Sequence, residues 1–206
     1  MRNTNLSLAA LAMGLVVQLH SSAAFGADWP QYRGPTHNGV STESIAKKWP
    51  AAGPRQLWKA PLTDGFSSFT VSQGRAFSLV LREVEGIKQE VCVALDADTG
   101  KELWAAPLGF AKYPDGGADS GAENNKGGDG PRSTPSVDGA NVYVTSAKLV
   151  VSSFEAKSGK LNWSRDLMKE HGGENIRWQN AASPLIDGDL VFVAGGGAGQ
   201  ALLALN

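Results

Sequence analysis

One phrase occurs twice in this chain, and its return limits the fold more than any other feature. Residues 94–104 read Ala-Leu-Asp-Ala-Asp-Thr-Gly-Lys-Glu-Leu-Trp, and residues 153–163 read Ser-Phe-Glu-Ala-Lys-Ser-Gly-Lys-Leu-Asn-Trp. Gly100 aligns with Gly159, Lys101 with Lys160, and Trp104 with Trp163. A third copy opens at Ala204-Leu205-Asn206, where the chain stops. Repetition of this kind marks an architecture in which each unit hides its apolar face against the next.

A second phrase lies upstream in each unit. Ser133-Thr134-Pro135-Ser136-Val137-Asp138-Gly139 precedes an apolar run over 141–147, and Ala182-Ser183-Pro184-Leu185-Ile186-Asp187-Gly188 precedes another over 189–194. A worn copy, Ser68-Phe69-Thr70-Val71-Ser72-Gln73-Gly74, precedes 75–82. Asp-Gly between two such runs is a hairpin signal, because glycine accepts the positive φ of a tight turn. Ser158-Gly159 and Thr99-Gly100 turn a third strand into a fourth. The second unit therefore reads as four strands, at about 132–138, 141–147, 149–156 and 160–167. Val142 and Val144 alternate with Tyr143 and Thr145, as on a strand with two different faces. Helical periodicity is brief; the longest helix-like piece is Leu167 to His171. Gly195-Gly196-Gly197-Ala198-Gly199-Gln200 follows a strand, but no helix follows it, so it reads as a hairpin and not a dinucleotide loop. Four-stranded units repeating at roughly 50 residues predict an all-β fold, a β-propeller of four-stranded antiparallel blades. Trp104 and Trp163 each open a fourth strand and offer a broad flat surface to the neighbouring blade.

The first residues are of another kind. Arg2 precedes an apolar run from Leu6 to Leu19, and small residues follow at Ser21, Ser22, Ala23 and Ala24. That order reads as a secretory leader over 1–27, cleaved after Ala24 or Ala27. The run is shorter than the ~20 residues a membrane-spanning helix needs. The sequence then predicts an N-terminal extension over 28–54 and a partial propeller over 55–206. Within it lie an isolated closing strand at 55–62 and blades at about 67–108, 132–167 and 181–206. The formal charge is −1, with no basic block, so the electrostatic footprint of a nucleic-acid binder is missing. Cys92 is the sole cysteine, set in Val91-Cys92-Val93-Ala94-Leu95, and reads as a small buried hydrophobe.

The Ala-x-Asp-Ala-x-Thr-Gly-x-x-x-Trp phrase resembles the blade motif of the PQQ-like (pyrroloquinoline quinone-like) β-propeller repeat family. Quinoprotein dehydrogenases and the outer-membrane assembly lipoprotein of the β-barrel machinery share that repeat. Asp28-Trp29-Pro30-Gln31-Tyr32-Arg33-Gly34-Pro35 and Gly128-Asp129-Gly130-Pro131-Arg132-Ser133-Thr134-Pro135 resemble an exported bacterial subfamily. The resemblance implies a ring of about seven or eight blades, of which this chain carries about three. It also implies that Arg55-Gln56-Leu57-Trp58-Lys59-Ala60 is a strand that completes a last blade. The chain thus reads as an N-terminal fragment in the periplasm or outside the cell.

Chemistry is expected on the face where fourth strands hand over to the next first strands, since loops on a rigid scaffold carry function. Two such loops are long, 109–131 and 168–180. They make Asp129, Arg132, Trp178 and Asn180 the candidate ligand-binding residues, with Arg132 and Trp178 clamping an anionic or sugar-like ligand. Gly100, Trp104, Gly159 and Trp163 are the structural residues of the blade. No metal site is expected: the glycine- and aspartate-rich first loop lacks the spaced acids of a calcium loop, and His171 with Glu174 offers too few zinc ligands. Two functions fit the resemblance. One is a binding or assembly scaffold with a protein or small-molecule partner on the loop face. The other is a PQQ- and calcium-dependent alcohol dehydrogenase or its remnant. Its adjacent-cysteine disulfide is missing here, because there is one Cys.

Overall fold

The structure, a computed structural model, describes residues 26–110, 130–176 and 179–206. The first 25 residues of the 1–27 leader reading and the candidates Asp129 and Trp178 lie outside the described residues.

The first blade comprises β1 (Thr70–Ser72), β2 (Arg75–Val84), β3 (Ile87–Asp96) and β4 (Glu102–Phe110). The second comprises β5 (Ser136–Asp138), β6 (Asn141–Thr145), β7 (Val150–Glu155) and β8 (Leu161–Asp166). A short helix α1 (Leu167–His171) follows, and then β9 (Leu185–Asp187), β10 (Leu190–Gly197) and β11 (Gln200–Leu205). Consecutive strands pair antiparallel throughout, giving two four-stranded sheets and one three-stranded sheet. These are propeller blades in an incomplete ring. The helix falls on the residues the sequence singles out. Asp166 caps it by accepting from Lys169 N–H at 3.1 Å, and Gly172 ends it in the left-handed region at φ 66°.

The second blade buries both faces because it is sandwiched between its two neighbours. Phe77, Leu79, Cys92 and Ala94 of the first blade meet Val142, Val144 and Phe154 of the second in one cluster. Leu149, Val151 and Leu167 meet Val191, Val193 and Leu205 in the next. Full burial of a Leu or Phe side chain contributes about 1.5–3 kcal/mol, so these two layers carry most of the stability. Cys92 sits fully inside the first layer, and burial pushes its thiol pKa up, which disfavours the reactive thiolate.

Two details differ from the sequence reading. Residues 55–62 join no β-ladder among the described residues. A strand needs a partner edge, and this segment is held by a side chain instead: Trp58 Nε1–H donates to Ala97 C=O at 2.9 Å. The worn upstream phrase is also displaced by one. Gln73 (φ 49°) and Gly74 (φ 73°) are the two turn residues between Ser72 and Arg75, whereas Gly139 is the first turn residue between Asp138 and Asn141. Strand ends Ser72, Asp138 and Asp187 are therefore equivalent. Four residues before each end stand Ser68, Thr134 and Ser183.

The extension from residue 28 does not hang loose. Trp29 pairs with Val71 in both directions, N–H to C=O at 2.7 and 2.9 Å. Val137 N–H donates to Pro30 C=O at 2.7 Å. Trp29 and Pro30 thus lie between β1 and β5, the innermost strands of two blades, at the axis.

Candidate functional site

Where the extension leaves the axis it forms one wall of a cleft of about 520 Å³. Gln31, Tyr32, Arg33 and His37 supply that wall. Phe66, Ser68, Arg132 and Thr134 supply a second, and Ala181 to Leu185 a third.

The floor is a repeated polar joint. Ser68 N–H donates to Thr134 Oγ1 at 3.2 Å, and Thr134 N–H donates to Ser183 Oγ at 2.9 Å. The residues leading into β1 and β5 thus hand a backbone donor to a hydroxyl of the next blade. Ser136 Oγ–H extends the joint to Pro184 C=O at 2.5 Å. Backbone donors shielded from water need partners, and these hydroxyls supply them between neighbouring blades.

The walls are fixed by close backbone approaches. Gly130 has φ 134°, and a Cβ there would lie 2.7 Å from the Gly65 backbone. That contact lets Phe66 N–H donate to Pro131 C=O at 2.8 Å. It also brings the Phe66 ring under the Arg132 guanidinium, 5.4 Å from centroid to Cζ. On the opposite wall Gly34 has φ 78°, and a Cβ would lie 2.7 Å from the Trp29 indole. The chain folds back there, so that Gln31 Nε2 and His37 Nε2 stand 3.1 Å apart. Asp28 secures the base of the wall. Its carboxylate accepts Ser72 Oγ–H at 2.7 Å and Gln73 N–H at 3.1 Å.

Of the candidate ligand residues, Arg132 lines the cleft. Asn180 is buried beside it, 6% exposed. Its amide is engaged by the backbone: Oδ1 accepts Ala182 N–H at 3.1 Å, and Nδ2 donates to Ala182 C=O at 3.1 Å. Asn180 positions the strand entrance that carries Ala181 and Ala182 into the wall. Gln31, Arg33, His37 and Phe66 are cleft residues that the sequence reading did not single out.

The blade residues lie at the rim. Trp104 Nε1–H donates to Ala156 C=O at 3.0 Å, and its ring lies 6.4 Å from Phe154 of the next blade. Gly159 faces the indole, and a Cβ there would lie 2.6 Å from it. Gly100 faces Trp58 in the same way, at 2.4 Å. Trp163 packs on Tyr143 of its own blade, 6.1 Å between centroids.

The donor set of the cleft decides what can be held there. Its described lining carries two arginines, a histidine, hydroxyls and two aromatic rings, and no carboxylate. Among the described residues, no group of three or more His, Cys, Asp or Glu could hold a metal ion. A quinone with a calcium ion needs hard oxygen ligands and a carboxylate base, and the described lining does not fit that pair. Nor is any described helix long and apolar enough to cross a membrane.

Comparison with known proteins agrees with this architecture. The family model described as outer membrane protein assembly factor BamB, a PQQ-like repeat model, matches residues 87–206. The chain belongs to this PQQ-like propeller family. Quinohemoprotein alcohol dehydrogenase from Comamonas testosteroni shares the fold of this PQQ-like propeller at TM-score 0.53 and 17% identity, over 81% of this chain and 23% of that one. Quinohemoprotein alcohol dehydrogenase ADHIIG from Pseudomonas putida HK5 matches at TM-score 0.47 and 22% identity, over 66% of this chain and 18% of that one. BamB from Moraxella catarrhalis matches at TM-score 0.42 and 16% identity, over 66% of this chain and 33% of that one. The chain thus spans a third or less of each of these structures. No curated protein matches it.

Proposed function

We propose that this PQQ-like propeller is an exported binding scaffold whose ligand or partner engages the loop face at the axial cleft. The observation that carries the reading is the composition of that cleft. Its walls carry arginines, hydroxyls and aromatic faces, which are recognition groups, and no described carboxylate that could serve as a base. The axis beneath it is taken by Trp29 and Pro30, tied by backbone hydrogen bonds to β1 and β5. The leader-like order of residues 1–27 and a family model described as an outer membrane assembly factor support a location outside the cytoplasm.

Dye-linked oxidation of primary alcohols by the purified protein, with PQQ and calcium added, tests the scaffold reading. No turnover is expected. Quinone-dependent turnover that survives repurification overturns it and restores the dehydrogenase alternative. N-terminal sequencing of protein from the periplasmic or culture fraction tests export, with Phe25 or Asp28 expected as first residue.

A further inference from the structure

We propose that the leader is cut between Gly26 and Ala27, and that Glu43 captures the α-ammonium this creates, closing the N-terminal extension into a loop. The proposal rests on the export reading. It adds the bond that is cut and what the cut does to the cleft wall.

The order of residues comes first. Residues 24–26 read Ala-Phe-Gly, with small residues three places and one place before the Gly26–Ala27 bond. That spacing of small residues marks a leader cleavage site. The leader alone also admits a cut after Ala24 or after Ala27, the second with Phe25 at the place where a small residue belongs. The fold points to the bond between them. Ala27 N–H donates to Glu43 Oε1 at 2.6 Å. That is shorter than the ~2.9–3.0 Å usual for an amide donor and close to the ~2.7–2.9 Å of a cationic nitrogen on a carboxylate. A chain that begins at Asp28 lacks this donor. A chain that begins at Phe25 keeps it as a neutral amide. A chain that begins at Ala27 sets a full positive charge against Glu43, with three N–H donors to share.

The surroundings suit such a charge. Ala27 and Glu43 line a hollow of about 450 Å³ together with Asp28 and Asp98, and no Lys, Arg or His stands in that lining. Asp28 is engaged by Ser72 Oγ–H and Gln73 N–H. The backbone of Glu43 is fixed by a turn, its N–H donating to Ser41 Oγ at 3.1 Å. Gly26 fits from the other side of the bond, since a Cβ on it would lie 3.1 Å from Glu43 Oε1. The carboxylate thus stands against the bond that is cut.

The pair joins residue 27 to residue 43. Between them lie Trp29 and Pro30 at the axis and Gln31 to His37 on the cleft wall. With the leader attached, Ala27 is an amide and the chain runs on past it. Once the leader is gone, an ion pair closes the segment, and the wall loses conformational freedom before any ligand arrives. The wall is therefore set in the exported protein and not in its precursor.

The test starts with N-terminal sequencing and intact mass of the full chain exported to the periplasm of a bacterial host. Ala27 is expected as first residue. Phe25 or Asp28 in that place overturns the proposal and leaves export standing. An unprocessed chain that begins at Met1 overturns both. Capture of the new terminus is read on the processed protein by acylation of its α-amine at neutral pH. Glu43→Gln, at an exposed position, should speed acylation at least threefold, and Glu43→Asp should fall between. Limited trypsin digestion reads the wall: cleavage after the exposed Arg33 should be at least threefold faster in Glu43→Gln than in the wild type. Equal rates of acylation, or of cleavage after Arg33, in the two proteins overturn capture by Glu43.

Discussion

At the rim, Trp104 of the first blade lies on Gly159 of the second, with one indole hydrogen bond of 3.0 Å to Ala156. At the axis the same two blades meet through Ser68 and Thr134, and Thr134 passes the joint on to Ser183. The rim joint is one large side chain, one absent side chain and one polar contact. The axial joint is a series of small hydroxyls with a foreign segment, Trp29 and Pro30, laid alongside. The two divide the work. Burial of an indole contributes several kcal/mol and tolerates only one geometry. Hydroxyl-to-backbone links contribute about 1 kcal/mol each, yet they line the axis with polar groups on which a ligand can be recognised. Stability is concentrated where the sequence repeats most strictly, and recognition where it varies.

Removing Trp104 strikes this division hardest. Trp104→Ala should lower the unfolding free energy by about 3–4 kcal/mol, through lost contact with Phe77 and Phe154 and an orphaned Ala156 carbonyl. Gly159→Ala should cost nearly as much, about 3 kcal/mol. It forces an L-residue into φ 72° and sets a Cβ 2.6 Å from the indole. Urea denaturation midpoints measure both. The double variant should fall short of the sum by about 1 kcal/mol, since the alanine at 159 meets empty space once the indole is gone. Strict additivity would mean that Trp104 and Gly159 do not act as one joint.

This is also why the rim was legible in the sequence. A joint made of one Trp and one Gly leaves a fixed spacing, and the recurrence of Gly100 and Trp104 at Gly159 and Trp163 specified the blades, the turns and the direction of packing. The axis left a fainter mark. Ser68, Thr134 and Ser183 do recur, but matching the phrases by their glycines hides them. Gly74 is the second residue of its turn and Gly139 the first of its own, a slip of one residue that moves every equivalence. The wall from Gln31 to His37 has neither a strand nor a helix period, because its shape comes from tertiary contacts such as Gly34 against Trp29. Arg132 is marked in the sequence by its place at the end of the long stretch between two blades. Asn180 lies near the cleft, with its amide turned to the backbone.

Axial substitutions should be milder and should separate stability from recognition. Asp28→Ala removes the acceptor for Ser72 Oγ–H and Gln73 N–H, and should cost about 1–2 kcal/mol. Thr134→Val keeps the volume of the side chain but deprives Ser68 N–H of its acceptor, for about 1 kcal/mol by urea denaturation. Costs at the axis equal to those at Trp104 would erase the division between the two joints.

The smallest expected effect returns to the rim and depends on pH. Asp96 shapes the turn that presents Gly100 to Trp58. Its Oδ1 accepts Thr99 Oγ–H at 2.7 Å, Thr99 N–H at 2.8 Å and Asp98 N–H at 3.2 Å. These bonds, the Thr99 hydroxyl foremost, hold its carboxyl below the usual carboxylate range. A carboxylate whose pKa is depressed by folding stabilises fully above its unfolded value, and that contribution is lost as pH falls through the folded value. The wild-type protein should therefore be more stable than Asp96→Asn at neutral pH. The gap should close as pH drops from 3.8 downward, because the protonated acid and the amide then offer the turn similar acceptors. Urea midpoints for both proteins across that range measure the gap. A gap that stays constant would assign the turn's stability to shape alone, and the carboxylate charge would have no part in holding Gly100 against Trp58.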